Sequence, residues 1–489
     1  MIRAKELIRG IEIIDCYGSC EISISGVSYD SRSVENGFCF IAIEGFNSDG
    51  NRFVIDAVNK GASMIISEKN PPEDLKQSIV WVVLKDIRKA YFQIVSNFYG
   101  DPLSEKYVIG VTGTNGKTTV VSILYKIFSN IFKVVKTGTL GMECNGVFCE
   151  TKLTTPEAGD LFRFLSEDCK NDFDTVIMEV SSAGLTMNRV EGIKFSQAVF
   201  TNLSGDHLDF HGTMDEYFSS KLSLFRNLSS DSWAVVNIDD KKSEKIIKES
   251  NSKYITFGFS DEADVYPEKY KTDIDGISAR IVSPRGILNI KSSLIGRVNL
   301  YNILAAVASS TVKNIPISII ERSIEDFKQV KGRLNFAYKG DFSVIVDYAH
   351  SDDALKNLLE SIRELTEEKL ILVFGAGGSR DISKRPRMGK IASEYADIVI
   401  ITSDNPRREE PMDIISQIIS GFPKSFNGYV VESDRKKAIE TGLSLAGKGD
   451  IVVIAGKGHE DYQIFKDRTI HFDDFEIVES LTGGSYAGV

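Results

Sequence analysis

A strand, a glycine-rich turn and a helix follow one another near residue 110, and this order constrains the fold most strongly. The apolar run YVIGVT at residues 107–112 is typical of a buried strand, and the segment GVTGTNGKTT at residues 110–119 contains the turn. The next segment predicts an amphipathic helix, with apolar residues at helical spacing: Val120, Ile123, Leu124, Ile127 and Ile131. This arrangement indicates an α/β fold built on a parallel sheet.

The glycine-rich loop has the chemistry of a phosphate site. Glycines let backbone N–H groups approach phosphate oxygens, and the helix N-terminus favours an anion. We expect Lys117 to reach the outer phosphates of a bound nucleotide and the Thr118 hydroxyl to bind Mg²⁺. The other loop residues expected to bind the nucleotide are Gly113, Thr114, Asn115, Gly116 and Thr119. The usual P-loop has glycine where Val111 stands, so the loop is a variant, and a purely structural turn is the alternative.

Length and composition limit the class of protein. A chain of 489 residues is too long for one hydrophobic core and should form several domains. A net charge of −11 argues against binding to nucleic acid or a membrane surface. The sequence has no membrane-spanning apolar stretch, and MIRAKELIRG lacks a signal-sequence core, so we expect a cytoplasmic protein. The six cysteines, including the CxxxC pair Cys16 and Cys20, suggest free thiols and no zinc site.

Further apolar runs divide the chain into three α/β units, at residues 1–100, 101–331 and 332–489. Strand candidates in the second unit, besides 107–112, are residues 174–180, 197–202 and 233–237. Strand candidates in the third unit are residues 343–348, 370–375, 397–402 and 450–456. A helix capped by Ser351 should follow the first of these. Strands alternating with helices predict mostly parallel sheets, covered on both faces, and a Rossmann-like third domain.

Several motifs together resemble the Mur ligase family. Besides GVTGTNGKTT, the chain contains KLTTPE, MEVSSAGL, FTNLSGDHLDFHG, VKGRL, VDYAHSDDAL, SDNPR and GKGHEDYQ between residues 152 and 463. YDSR at 29–32 and EGFNSDG at 44–50 resemble the nucleotide-sugar domain of the same family. The resemblance covers nearly the whole chain. It implies a small uridine-nucleotide domain, a central P-loop-type ATPase domain and a C-terminal amino-acid-binding domain.

The resemblance implies an ATP-dependent ligase that forms an amide bond in cytoplasmic peptidoglycan precursor synthesis. A carboxylate of UDP-N-acetylmuramoyl-L-alanyl-D-glutamate would be activated as an acyl phosphate, which the amine of a diamino acid then attacks. ATP is a substrate and Mg²⁺ is the expected cofactor. We expect a monomer that acts on these small molecules, with no nucleic-acid partner and no insertion into a membrane.

The catalytic residues of the family match four positions of this chain. Lys117 is one, and Glu179, at the end of a buried strand, is a candidate Mg²⁺ ligand together with Thr118. The resemblance implies that His207 helps to hold a second metal ion. It also implies that Lys221, otherwise a solvated lysine on a helix, is carbamylated to N6-carboxylysine and acts as a carboxylate-like metal ligand.

The resemblance also assigns residues to the two nucleotide substrates. Contacts to the UDP-sugar-peptide are expected from Ser31, Phe46, Asn47, Ser48, Thr154, Thr155, Ser181 and Arg189. Contacts to the adenine, ribose and phosphates of ATP are expected from Asn299, Asn302, Arg333 and Asp347. The chain departs from the family pattern at Ala183 and at Ser351 with Asp352, so the contacts near these positions stay open.

The third unit should select the incoming amine. Arg407 follows a proline-stiffened turn, and its guanidinium could grip a carboxylate. Because diaminopimelate has a distal carboxylate and lysine does not, meso-2,6-diaminopimelate is the favoured substrate. Lysine and lanthionine are the alternatives. The other contacts expected to the amino acid are Arg380, Asp404, Asn405, Pro406, Gly456 and Glu460.

Three other classes of protein share part of this pattern. A folylpolyglutamate-synthase-like ligase has the central loop but is not expected to have YDSR, DNPR and GKGHED. A P-loop GTPase should have an NKxD motif, which this sequence lacks. A non-catalytic sugar-nucleotide-binding protein would tolerate loss of Lys117 or Glu179, and both residues are present.

Overall fold

The computed structural model describes residues 1–45, 48–206 and 208–483, and its strands form three large sheets, one after another along the chain. Helices cover these sheets, so the α/β class expected from the sequence is confirmed. None of the described helices is long and apolar enough to cross a membrane. All six cysteines lie in the described part, and none forms a disulfide, as expected.

The first unit is built around a five-stranded sheet. Its strands are β1 (Ile2–Arg3), β2 (Ile13–Tyr17), β3 (Ser23–Ile24), β4 (Gly26–Ser28), β5 (Phe38–Ile41), β6 (Met64–Ser67) and β7 (Val80–Leu84). Its α-helices are α1 (Ala4–Leu7), α2 (Val54–Asn59) and α3 (Ile87–Tyr99). The sheet has the order β2-β7-β6-β5-β4, and only β2 runs antiparallel to its neighbour. Both faces of β6 and β7 are buried, which explains their continuous apolar sequences.

The second unit contains an eight-stranded sheet and a separate three-stranded sheet. Its strands are β8 (Tyr107–Thr112), β9 (Val134–Gly138), β10 (Gly141–Cys144), β11 (Val147–Cys149), β12 (Thr175–Glu179), β13 (Gln197–Phe200), β14 (Trp233–Asn237), β15 (Lys253–Phe257), β16 (Tyr266–Asp273), β17 (Gly276–Ser283) and β18 (Gly286–Ser292). Its α-helices are α4 (Lys117–Phe128), α5 (Ala158–Arg163), α6 (Ser182–Thr186), α7 (Leu208–His211), α8 (Met214–Arg226), α9 (Ser243–Glu249), α10 (Arg297–Val312) and α11 (Ile317–Glu325).

The eight-stranded sheet places the glycine-rich loop at its centre. The order is β11-β10-β9-β12-β8-β13-β14-β15, and only the pairs at the β11 edge are antiparallel. β8 lies between β12 and β13, all three parallel, so the chain leaves β8 where the strand order reverses. The antiparallel sheet β16-β17-β18 was not expected from the sequence, and α11 packs on it.

The helix predicted after the loop is α4, and it differs from the prediction at one end. The expected apolar residues that are buried are Val120, Ile123, Leu124 and Ile127. The helix ends at Phe128, so Ile131 lies outside it and is 42% exposed, contrary to the prediction. Phe132 packs near Phe128 instead, with ring centroids 6.0 Å apart, because the chain turns before another helical repeat is complete.

The third unit is a six-stranded sheet with helices on both sides. Its strands are β19 (Asn335–Lys339), β20 (Ser343–Asp347), β21 (Leu370–Phe374), β22 (Ile398–Ile401), β23 (Tyr429–Val431), β24 (Ile451–Ala455), β25 (Tyr462–Ile464) and β26 (Thr469–His471). Its α-helices are α12 (Asp352–Arg363), α13 (Lys384–Tyr395), α14 (Pro411–Ile419), α15 (Arg435–Leu445) and α16 (Asp474–Thr482). The sheet has the order β19-β20-β24-β21-β22-β23, with only β19 antiparallel. The predicted cap is confirmed, since the Ser351 hydroxyl accepts a hydrogen bond from the Ala354 N–H.

Candidate active site between the central and C-terminal sheets

One cavity of about 1090 Å³ is lined by residues that follow the carboxyl ends of strands in both the central and the C-terminal sheet. Ligands bind at this end of the strands in open α/β sheets. The predicted residues that line it are Thr114, Asn115, Gly116, Lys117, Thr118, Thr119, Thr154, Glu179, Ser181, Asn299, Asn302, Arg333, Asp347, Arg380, Asp404, Asn405, Arg407, Gly456 and Glu460. The fold therefore brings most of the residues assigned to ATP and to the amino acid into one space.

The glycine-rich loop is held in shape by the segment that follows β13. The Thr114 N–H donates to the Asn202 carbonyl oxygen, and the Asn115 N–H donates to Asn202 Oδ1, both at 2.9 Å. A Cβ atom on Gly113 would lie 1.9 Å from the hydroxyl oxygen of Thr201. Gly116 has a φ of +88° and caps α4, and a Cβ atom there would overlap a neighbouring side chain. These close approaches explain why the loop needs glycine at both positions.

Two lysines converge on one carbonyl oxygen beneath this loop. The Gly113 oxygen accepts hydrogen bonds from Lys117 Nζ at 3.0 Å and from Lys221 Nζ at 2.8 Å. Lys221, on α8, is only 1% exposed and lies over the Tyr217 ring, 4.4 Å from its centroid. Burial lowers the pKa of Lys221 well below its usual range, and the charge of Lys117 lowers it further. Burial also lowers the pKa of Lys117, while Glu179 opposes that shift.

Glu179 is a buried carboxylate held by hydroxyl and backbone groups. Its Oε2 accepts hydrogen bonds from the hydroxyls of Thr118 at 3.0 Å and Thr139 at 3.2 Å, and its Oε1 accepts one from the Thr139 N–H. A Cβ atom on Gly138 would lie 2.2 Å from Oε1, so the strand end leaves room for this carboxylate. Within the described ranges, no lysine, arginine or histidine forms an ion pair with Glu179.

The oxygen atoms around Glu179 fit a hard divalent cation. A buried carboxylate without a cationic partner is costly, and bound Mg²⁺ would offset that cost. The described residues contain no group of three or more His, Cys, Asp or Glu side chains arranged around a metal. One carboxylate and one or two hydroxyls suit Mg²⁺, which usually takes its remaining ligands from water and substrate phosphates.

The other residues expected to bind ATP lie on α10 of the central unit and at the start of the C-terminal unit. Asn302 Nδ2 donates to Asn299 Oδ1 at 3.0 Å, and both side chains are buried behind Gly116. Arg333 lies over the Tyr348 ring, 4.6 Å from its centroid. Asp347 ends β20 and accepts hydrogen bonds from two backbone N–H groups, although burial raises its pKa.

The far end of the cavity contains two acidic groups and an amide. Asn405 Nδ2 donates to Glu460 Oε2 at 2.9 Å, and Lys457 lies 3.5 Å from the same oxygen. Burial raises the pKa of Glu460, and the nearby Asp404 raises it further. A Cβ atom on Gly456 would lie 2.6 Å from Asp404 Oδ2, so this glycine keeps the carboxylate accessible. Two carboxylates here suit a substrate ammonium group.

Two arginines stand beside these acidic groups. Arg407 Nη1 donates to the Gly378 carbonyl oxygen at 3.0 Å, and its backbone has a φ of +53°. Arg380 is exposed and lines the cavity on the neighbouring loop. Pro406 does not line the cavity, but its carbonyl oxygen packs so closely on Gly378 that a Cβ atom there would lie 1.9 Å away. Opposite charges therefore face the same end of the cavity.

The residues assigned to the dipeptide are divided between the cavity and an ion-pair network beside it. Thr154 and Ser181 line the cavity, whereas Thr155 is buried and donates to the Glu179 carbonyl oxygen at 3.0 Å. Arg189 also lies beside the cavity, where its Nε pairs with Glu157 Oε1 at 3.1 Å. The Arg189 side chain is thus already engaged by a protein carboxylate.

The residues assigned to the uridine nucleotide lie in the first unit, away from the cavity. Ser31 is buried at the start of a short 3₁₀ helix (Ser31–Ser33) that Asp30 caps, and Ser48 is exposed. Neither residue lines the cavity. Phe46 and Asn47, and the expected metal ligand His207, lie outside the described residues.

Several lining residues were missed by the sequence analysis. Lys384, on α13, donates to the His350 carbonyl oxygen at 2.8 Å, and burial lowers its pKa while Asp206 opposes the shift. Asp353, in the first turn of α12, lies close to Gly205 of the central unit, since a Cβ atom on that glycine would lie 2.6 Å from Asp353 Oδ2. In the sequence, Asp353 is only an acidic residue two positions after the predicted Ser351 cap. Lys384 carries no local signal, because its partners His350 and Asp206 are distant from it in sequence.

Comparison with protein families matches three parts of the chain. Residues 23–99 match "Mur ligase family, catalytic domain", residues 111–310 match "Mur ligase middle domain", and residues 332–458 match "Mur ligase, glutamate ligase domain". The matches leave residues 100–110 and 311–331 between them, and the cavity residues fall within the second and third matches except Glu460 and Tyr462, which lie just beyond the third.

Individual proteins give the same assignment over nearly the full length. A UDP-N-acetylmuramoyl-L-alanyl-D-glutamate--2,6-diaminopimelate ligase from Clostridioides difficile is 41% identical over 483 residues, covering 97% of this chain and 98% of that protein. A solved structure of a ligase with the same name is 32% identical, with a TM-score of 0.68 and 99% of both chains covered. A Mycobacterium tuberculosis folylpolyglutamate synthase with ADP and AMPPCP is 16% identical, with a TM-score of 0.65 over 81% of this chain and 95% of that one, and shares the fold alone. The chain, with its phosphate loop, its buried carboxylate and these full-length relatives, belongs to the Mur ligase family.

Proposed function

We propose that this protein joins meso-2,6-diaminopimelate to the D-glutamyl γ-carboxylate of UDP-N-acetylmuramoyl-L-alanyl-D-glutamate, with ATP as the second substrate. The observation that carries the proposal is the single cavity that contains both the phosphate loop and Arg407. The relative from Clostridioides difficile is named for this reaction and is 41% identical. A folylpolyglutamate-synthase-like activity is not favoured, since the protein of that name shares only the fold.

The phosphate loop would carry out the activation step. ATP phosphates would bind the loop N–H groups at the start of α4, where Lys117 can leave its carbonyl partners and neutralise charge on the transferred phosphoryl group. The substrate carboxylate would attack the γ-phosphate to form an acyl phosphate and release ADP. Thr118 and Glu179 would hold Mg²⁺, which would screen the negative charge shared by the phosphates.

The far end of the cavity would hold the amine substrate. Arg407 and Arg380 would bind its carboxylates, and Asp404 with Glu460 would bind its distal ammonium group. The free amine would then attack the acyl phosphate, forming the amide and releasing phosphate. Because acyl phosphates react with water, a cavity shared by two units is useful, since closure of the units excludes solvent.

Lys221 would act as a carbamate. Its neutral amine would add to CO₂, forming an N–C bond and releasing one proton, and the product would be a buried anion instead of a cation. The low pKa that burial imposes on Lys221 favours the neutral amine that this step requires. A monomer located in the cytoplasm remains our prediction for the working state.

Phosphate release provides the direct test. ATP, UDP-N-acetylmuramoyl-L-alanyl-D-glutamate and one amine are combined, with diaminopimelate, lanthionine and lysine compared. We expect turnover to be fastest with meso-2,6-diaminopimelate. Arg407→Ala should lower its kcat/KM roughly a hundredfold, about 3 kcal/mol, because a desolvated carboxylate loses its partner. The KM for ATP should stay within about twofold.

A matched control uses the neighbouring arginine. Arg408 is exposed and does not line the cavity, so Arg408→Ala should behave like the wild type. If the best amine is lysine, the assignment of diaminopimelate is wrong. Phosphate release that requires a folate substrate instead of the UDP-dipeptide would overturn the whole proposal.

A further inference from the structure

The two arginines at the amine end of the cavity lie on separate loops with strained backbones. Arg407 itself has a φ of +53°, and Ser379, directly before Arg380, has the same φ. Side chains other than glycine rarely adopt this left-handed conformation, at a cost of about 1–2 kcal/mol each. Such conformations persist only where surrounding contacts enforce them. The contacts that hold these two loops therefore decide where both guanidinium groups point.

One ion pair, buried at its Arg385 end, supplies those contacts. Arg385, on α13, has no exposed surface, and its Nη1 and Nη2 donate to the two carboxylate oxygens of Glu409 at 2.7 and 2.9 Å. Arg385 Nη2 also donates to the Gly377 carbonyl oxygen at 3.1 Å. Glu409 in turn accepts a hydrogen bond from the Ser379 N–H. The pair is thus bonded to the first loop on both sides of Gly378.

The same pair reaches the second loop through the main chain. Glu409 lies two residues after Arg407, and Arg407 Nη1 donates to the Gly378 carbonyl oxygen at 3.0 Å. The Gly378 N–H donates to the Asn405 carbonyl oxygen at 2.9 Å. A continuous set of hydrogen bonds therefore runs from Arg385 and Glu409 through the loop at 377–379 to the Arg407 guanidinium.

Stability alone does not account for this pair. A buried guanidinium is expensive to desolvate, and an apolar pair of similar volume is often equally stable or more stable. The Arg385 Nε is buried, and it has no hydrogen-bond partner among the residues that the structure describes. The pair thus keeps an uncompensated cost, and its remaining bonds all serve the two loops or α14.

We propose that Arg385 and Glu409 are positioning residues that set the spacing of Arg380 and Arg407, and thereby the preference for an amine substrate with a second carboxylate. This inference rests on the proposed function. Neither residue lines the cavity, so both would act through the two arginines. A lysine substrate, which lacks the distal carboxylate, does not need that spacing.

The test measures discrimination between two amines. In Glu409→Gln the side chain keeps its shape but loses its charge, and in Arg385→Lys the bidentate contact and the bond to Gly377 are lost. We expect the ratio of kcat/KM for diaminopimelate to that for lysine to fall at least tenfold in both variants. This fall should come from a higher KM for diaminopimelate, while the KM for ATP changes by less than about twofold.

A double-mutant cycle separates positioning from general damage. Once Arg407→Ala removes the guanidinium, adding Glu409→Gln should have little further effect on the KM for diaminopimelate. Independent, multiplicative losses would overturn the inference, as would an unchanged discrimination ratio in both single variants. Circular dichroism shows whether each variant is folded. If Glu409→Gln is misfolded, the discrimination ratio of Arg385→Lys decides, and if Arg385→Lys is misfolded, that of Glu409→Gln decides.

A control ion pair and the wild type complete the design. Arg363 and Asp397 pair at 2.8 Å in the same unit but do not line the cavity, so Asp397→Asn should leave discrimination unchanged. A loss of discrimination in this control would overturn the inference. Wild-type protein that does not turn over diaminopimelate contradicts the proposed function itself, whereas normal wild-type turnover with an unaltered ratio in the variants contradicts only the positioning role.

Discussion

Two lysines share the carbonyl oxygen of Gly113, and their different burial gives them different chemistry. Lys117 is partly exposed and lines the cavity, so an incoming phosphate can draw it away from the loop. Lys221, on α8, is buried and lies over the Tyr217 ring, so its ammonium group is not hydrated by solvent. Its energetics therefore depend on whether the amine is charged, neutral or modified.

Lys221 should make the stability of the protein depend on pH. Burial lowers its pKa in the folded protein, so between that pKa and about 10.4 the unfolded chain binds more protons. The penalty for burying this lysine is therefore greatest at low pH and disappears as the pH rises through this window. In CO₂-free buffer, Lys221→Met should be more stable than wild type at pH 6, and the difference should shrink towards pH 10.

Urea unfolding at several pH values measures this difference. Each pKa unit is worth about 1.4 kcal/mol, whereas the lost hydrogen bond to Gly113 costs about 1 kcal/mol. Lys89→Met, at an exposed position on α3, controls for loss of a surface lysine. A gap between Lys221→Met and wild type that widens with rising pH would contradict the prediction.

At the scale of elements, the turn that connects the central unit to the C-terminal sheet packs tightly against the loop that follows β24. Gly332 has a φ of +71° and packs against the backbone of Gly458 and His459. The next residue, Arg333, lies over Tyr348, whose ring also contacts His459 at a centroid distance of 4.9 Å. Gly332 and Arg333, which is expected to bind ATP, are therefore both packed, directly or through Tyr348, against the loop that contains Gly458 and His459.

Gly332→Ala should impair catalysis more than stability. A Cβ atom would lie 2.3 Å from the Gly458 carbonyl carbon and the His459 nitrogen, so the turn must move and carry Arg333 with it. We expect kcat to fall at least tenfold and the KM for ATP to rise. Gly100→Ala is the matched control, since Gly100 has a φ of +80° but no atom within 4 Å of its Cβ position.

Phosphate-release kinetics of both variants measure kcat and the KM for ATP, and thermal unfolding measures their stability. Each substitution should cost about 1–2 kcal/mol of backbone strain. Both variants should therefore lose similar stability, but only Gly332→Ala should also show a lower kcat. Equal kinetic effects in the two variants would show that the close approach to Gly458 has no functional consequence.

At the scale of the whole molecule, one buried carboxylate joins the first unit to the second. Glu157 is 4% exposed and pairs with Arg88 of the first unit at 2.9 Å and with Arg189 of the second at 3.1 Å. Arg88 also donates to the Glu44 carbonyl oxygen, close to the segment assigned to the uridine nucleotide. A single charge thus connects Arg189, expected to bind the dipeptide, with the backbone next to the segment assigned to the uridine nucleotide.

Glu157→Gln should weaken this connection. Two largely buried guanidinium groups would face each other without a counter-charge, which costs about 3 kcal/mol. We expect a lower urea midpoint and a higher KM for the UDP-dipeptide, with the KM for ATP little changed. Glu268→Gln removes an exposed ion pair with Arg280 inside one sheet and should cost less than about 1 kcal/mol. A similar loss in both variants would argue against the bridging role.

Much of the fold could be predicted because its signals are local. The buried runs that became β8, β12, β20 and β24 read as strands without any neighbour, since both faces of a central parallel strand must be apolar. Local signals failed where a helix ended early, at Ile131, and for β16, β17 and β18, whose pairing depends on antiparallel neighbours.

The sequence by itself determined the phosphate loop and the chemical types of the site residues, because glycine spacing and charged side chains are properties of short segments. Tertiary structure alone decided that Lys221 is buried, that Arg189 is held by Glu157, and that Arg385 reaches the loop at 377–379. These outcomes join residues from about eight to more than a hundred positions apart. Desolvation and charge pairing depend on what surrounds a group in space, and no local pattern specifies that.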